Sequence, residues 1–148
     1  MVSAGAKVRA IDIPTGAVTT YTPTWTGSTT NPTNYTGTGY YYQLGKWVHV
    51  HAAFTCNASF TAGSGTYNFS LPSSVTSNYG LEDVIGVGLF RHPGTSARYS
   101  LLVMPTGTGS NKVLLLSGGS TVTALTNASP LAPLATDRIT FDCKYFVD

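Results

Sequence analysis

From Trp47 to Cys56 the chain reads WVHVHAAFTC, and this stretch restricts the fold more tightly than any other. By period-two alternation Val48, Val50, Ala52, Phe54 and Cys56 share one face, and Trp47, His49, His51 and Thr55 share the other. A helix would scatter both sets around its axis. A strand sorts them into an apolar side that needs a core and a mixed side that can meet a partner. Upstream, Tyr40–Leu44 and a turn at Gly45-Lys46 complete a β-hairpin within Gly37–Cys56.

The same grammar runs through the rest of the chain. Ala17–Trp25 is expected to be a first strand, with Pro23 marking an edge or a bulge. Thr26–Thr36 reads as a loop. Tyr67–Leu71 alternates until Pro72 stops it, and Glu82–His92 and Ala97–Met104 form a second hairpin around Pro93-Gly94. Gly86 and Gly88 indicate a bulge or a close backbone approach. Asn111–Ser117, Ser120–Leu125 and Asp137–Val147 supply further strands. In the last, Ile139, Phe141, Cys143, Tyr145 and Val147 point one way and Arg138, Thr140, Asp142, Lys144 and Phe146 the other.

No stretch of the chain carries a helical apolar period. The expected fold is all-β: an antiparallel two-sheet sandwich, jelly-roll-like, of eight to nine short strands. An immunoglobulin-type sandwich ranks second, because Trp25 and Trp47 both precede Cys56 and break its usual Cys…Trp…Cys order. Residues 1–16 are expected to form an extended N-terminal arm and 17–148 a single domain.

Composition agrees with this reading and narrows the function. Charged residues are 9% of the chain, against about 25% in an average domain. Thr (23) and Ser (14) fill the gap, which makes the surface neutral and hydroxyl-rich. The net charge is +2, and Arg9, Arg91, Arg98, Lys112, Arg138 and Lys144 form no run, so nucleic acid is not an expected partner. No apolar stretch is long enough to span a membrane or to serve as a secretory h-region, and synthesis in a cytoplasm is expected. Cys56 and Cys143 fall on inward faces and read as buried thiols, with a disulfide as the alternative.

Catalytic signatures are weak. Glu82 and Asp83 are adjacent, so on a strand they would point apart and not face each other across a cleft as glycosidase carboxylates do. No serine sits in a G-x-S-x-G elbow, and the cysteines read as buried. His49 and His51 share a strand face and could ligate a metal, but an ordinary polar face is the favoured reading, and no metal or cofactor is expected. His92, before Pro93, is expected only to cap its turn. The aromatic residues Trp25, Tyr40, Tyr42 and Trp47, with His49 and His51, are the candidate contacts for an interface or a glycan.

Four segments resemble a known family: Tyr21-x-Pro23-x-Trp25, Gly39-x-Tyr41, Gly45-x-x-Val48, and Gly65-x-Tyr67 through Leu71-Pro72. Together they resemble a β-sandwich domain of bacteriophage virion surface proteins, found in tail fibres and minor tail proteins of phages that infect actinobacteria. The resemblance covers about residues 18–72. It implies a homotrimeric, non-enzymatic structural protein at the virion surface. With a short arm before the domain, a capsid decoration protein is expected, docked on the major capsid protein through Lys7, Arg9, Ile11 and Ile13. The alternative is a tail-fibre or receptor-binding module that recognises host cell-surface carbohydrate.

Overall fold

The computed structural model describes residues 17–74, 76, 78–80, 82–118 and 123–148. The expected arm, with Lys7, Arg9, Ile11 and Ile13, lies outside the described residues, as do positions 120–122 of the expected Ser120–Leu125 strand. Ten strands are formed: β1 Thr19–Tyr21, β2 Trp25–Gly27, β3 Thr33–Leu44, β4 Trp47–Thr61, β5 Tyr67–Ser70, β6 Gly86–His92, β7 Ala97–Pro105, β8 Lys112–Ser117, β9 Thr123–Ala124 and β10 Arg138–Phe146. Every pairing between them is antiparallel. The all-β antiparallel fold is therefore as expected. The described residues hold no α-helix, only a 3-10 turn at Pro93–Thr95.

Hydrogen bonding does not separate two sheets. One ladder runs β1-β3-β4-β10-β6-β7-β8-β5-β2, with β9 added to β8. The sheet must curl, and the chain itself shows why. β1 and β2 lie at opposite edges of the ladder, yet only Thr22, Pro23 and Thr24 separate them. Four Cα steps reach at most about 14 Å, so the two edges face each other across the core. The expected Ala17–Trp25 strand is thus split at Pro23, which is buried in the crossing.

β3 begins earlier than expected, at Thr33 and not Tyr40. Gly37 and Gly39, which precede the expected strand start, sit inside this strand opposite Phe54 and Ala52. A Cβ on Gly37 would collide with the Pro23 carbonyl, and one on Gly39 with the Tyr21 ring. These glycines make room for the crossing chain; they do not turn it.

The core fills the inside of the curl. Val48, Val50, Ala52, Phe54 and Cys56 are all buried, as the alternation of β4 predicts. So are Ile139, Phe141, Cys143 and Tyr145 of β10. Trp25 lies at the centre of an aromatic cluster, with Tyr35, Phe54, Phe60, Tyr67 and Phe69 at ring-centroid distances of 4.9 to 6.1 Å. Each such ring contributes about 2–3 kcal/mol by burial, with some tenths more from edge and offset stacking.

Both cysteines are buried and unpaired. β4 and β10 are neighbours, but Cys143 is opposite Val50, six residues from Cys56. At about 3.4 Å per residue the thiols are far outside disulfide reach.

Candidate functional site

The register of β3, β4, β10 and β6 arranges their outward side chains in rows that cross the strands. Leu44, Trp47 and Phe146 form the first row. Tyr42, His49 and Lys144 form the second. Tyr40, His51, Asp142 and Val87 form the third. Tyr40, Tyr42, Trp47, His49 and His51, expected as contact residues, thus come together on one face.

The first row is an exposed apolar platform. The Trp47 and Phe146 rings stack with centroids 4.4 Å apart and planes 10° from parallel. Yet Trp47 is 44% exposed and Phe146 45%. Leu44, Tyr40, Tyr42 and Val87 are exposed on the same face. Cross-strand packing holds these rings in place without covering them.

Behind the platform each tyrosine meets a histidine. The Tyr40 and His51 rings stack at 4.9 Å, and Tyr42 meets His49 edge-on at 5.1 Å. His49 Nδ1 lies 3.0 Å from the Tyr42 hydroxyl, and its Nε2 lies 3.9 Å from Asp142 Oδ1. The tautomer that serves both contacts accepts from Tyr42 at Nδ1 and carries its hydrogen on Nε2. His51 Nδ1 lies 3.0 Å from the same carboxylate oxygen. Asp142 is more than half exposed, so these pairs orient the rings more than they stabilise the fold. His49 Nδ1 and His51 Nδ1 are engaged with Tyr42 and Asp142, and among the described residues no group of three His, Cys, Asp or Glu could hold a metal ion.

Trp25 does not belong to this face. It is 1% exposed, enclosed by the curl of the sheet and available to no partner. His92 also departs from expectation. It makes no capping hydrogen bond to its turn and is buried against Asp137, its Nδ1 2.9 Å from Oδ2 and 2.8 Å from Oδ1. Of the other acids, Glu82 and Asp83 are exposed, and Asp83 accepts from the Gly80 backbone N–H at 2.6 Å.

Leu44, Phe146, Asp142 and Lys144 were not among the expected contact residues. The alternation of the last strand already placed three of them on its outward face. Only the register with β4 sets Phe146 against Trp47 and Asp142 against His51. A shallow depression of roughly 180 Å³ opens between Tyr42, Leu44, Trp47, His49 and Lys144. The face can therefore offer flat aromatic contact, a hydroxyl, an imidazole and an ammonium, which is the equipment of a binding surface. Scanned against protein-family models, and searched against curated proteins and solved structures, the chain finds no match.

Proposed function

We propose that the chain is a non-enzymatic structural module of a bacteriophage virion surface. In this reading it assembles as a homotrimer through its aromatic face and docks on the capsid as a decoration protein. One observation carries the assembly: Leu44, Trp47 and Phe146 form a pre-stacked apolar row that is left open to water. Apolar surface gains about 25 cal/mol for each Å² removed from water, and contiguous exposed patches mark interaction sites. A rigid aromatic pair loses little side-chain entropy when it docks, so it favours a specific contact. The virion assignment is supported by the resemblance of residues 18–72.

Light scattering on the purified protein is expected to give three times the chain mass. The double variant Trp47→Ala, Phe146→Ser is expected to give the monomer mass with an unchanged circular dichroism spectrum. A monomeric parent protein would overturn the assembly. Electron microscopy of virions labelled through this chain is expected to mark the head surface, and label on the tail alone would overturn the decoration role.

A second reading, a receptor-binding module for cell-surface carbohydrate, is favoured by the depression beside Trp47. Its aromatic wall and its Tyr42, His49 and Lys144 edges suit a sugar ring. Glycan-array binding lost on Trp47→Ala in a protein that stays trimeric would favour this reading over the first.

A further inference from the structure

Arg138 of β10 lies directly opposite Arg91 of β6, and Arg91 lies directly opposite Arg98 of β7. Three of the chain's four arginines thus stand in one row across three adjacent strands, all exposed and all on the outer face. Among the described residues none of the three has a carboxylate partner. Neighbouring strands are only about 4.8 Å apart, and like charges directly opposite each other destabilise a sheet. A chain with only eight cationic residues, scattered in sequence, therefore concentrates three of them where they oppose its own folding. An anion seated along the row would remove that cost.

The surroundings narrow the anion. Thr55 continues the row on β4, opposite Arg138, and Thr36 continues it on β3. At the other end Arg98 forms one wall of an open depression of roughly 400 Å³, whose other walls include Ser100, Ser117, Thr123 and Ser129. The guanidinium row thus runs from threonine hydroxyls into a pocket lined by hydroxyls. No exposed aromatic ring stands in the row, and the one ring at the depression, Tyr99, is half-buried and stacked on Phe90, so the open stacking platform that single-stranded nucleic acid uses is missing. Three cations also fall well short of the phosphate contacts that duplex binding needs.

We infer that the Arg138–Arg91–Arg98 row and the hydroxyl-lined depression beside Arg98 bind an acidic oligosaccharide. Its carboxylate or sulfate groups lie along the guanidiniums, each in a forked, charge-assisted pair of hydrogen bonds. Its ring hydroxyls enter the depression. The site is independent of the aromatic platform: Arg138 and Phe146 stand at opposite ends of β10, eight residues or about 27 Å apart.

The test is calorimetric titration of the full chain with oligogalacturonate and with a chondroitin sulfate oligosaccharide. Methyl-esterified oligogalacturonate and a single-stranded oligothymidylate serve as comparisons. At least one of the two acidic sugars is expected to bind, more weakly as salt is added, while the methyl ester does not. Arg91→Gln with Arg98→Gln is expected to weaken binding by on the order of a hundredfold, about tenfold for each guanidinium. Lys112→Gln removes an exposed charge elsewhere on the sheet and is expected to leave binding unchanged. Arg91→Gln alone is expected to raise the urea midpoint of the free protein, because it relieves the row. The inference is overturned if neither acidic sugar binds, or if Lys112→Gln weakens binding as much as Arg91→Gln. Equal arginine-dependent affinity for the oligothymidylate would reassign the row to nucleic acid. A lower urea midpoint for Arg91→Gln would show that the row is structural.

Discussion

Tyr35 does for Trp25 what a neighbouring strand would do. β2 pairs with β5 on one side only, so the backbone groups of Trp25 on the other side need a partner. The Tyr35 hydroxyl accepts from the Trp25 N–H at 2.8 Å and donates to the Trp25 carbonyl at 3.1 Å. One side chain from β3 therefore closes the curl against the opposite edge. Removing the hydroxyl strands a donor and an acceptor at the edge of the aromatic core, a loss of about 1–3 kcal/mol. Tyr35→Phe is expected to lower the unfolding free energy in urea by that amount. Tyr40→Phe, on the open face, is expected to stay within about 0.5 kcal/mol of the parent. Equal effects from the two variants would mean that Tyr35 does not hold the edges together.

At the scale of elements, the junction of β6 and β10 depends on a pair that no sequence pattern announces. His92 ends β6 and Asp137 precedes β10, 45 residues later, and both are buried. Asp137 Oδ2 also accepts from the Leu134 N–H at 2.8 Å, which fastens the loop before β10. Breaking a buried pair leaves a polar group with no partner, at about 3–5 kcal/mol. Asp137→Ala is expected to cost that much in urea unfolding. The double variant His92→Leu, Asp137→Leu is expected to recover part of it, because the imidazole is no longer left without its partner, although the Leu134 N–H still loses its acceptor. A loss below about 1 kcal/mol for Asp137→Ala would remove the pair from the stability of the junction.

The same scale shows what could be read in advance. Strand faces could: the two long alternating strands sorted Phe54 from His51 and Phe141 from Asp142 correctly, because alternation is local. Pairings could not. Gly37 and Gly39 have the composition of a loop, and their role appears only once Pro23 and Tyr21 are seen to cross them. Trp25 groups in sequence with the contact aromatics, but it is buried, and its burial follows from the curl, which joins edges distant along the ladder. The arginine row has the same origin, since residues 91, 98 and 138 meet only through register.

For the whole molecule, the protonated core sets an alkaline limit. Burial pushes the Cys56 and Cys143 thiols up from 9.0 to about 12, with the nearby carboxylates of Asp137 and Asp142 adding to the shift. Burial also raises Tyr21, Tyr67 and Tyr145 well above the ordinary tyrosine value of 10.0. All five groups are neutral when protonated, and the folded state holds their protons more tightly than the unfolded chain does. Below pH 9 both states keep the protons, and the stabilisation is fully present. As pH rises from 9 towards 12 the unfolded chain ionises first, so stability falls with a slope set by the difference in bound protons. Urea midpoints are therefore expected to stay level up to about pH 8.5 and then to fall steeply, the thiols acting first and the tyrosines about one unit later. Cys56→Ala with Cys143→Ala lowers stability at neutral pH by removing packed sulfur, but it is expected to move the onset of the alkaline fall towards pH 10. A midpoint that stays level to pH 11, or an onset unchanged in the double alanine variant, would mean that the buried thiols do not set the limit.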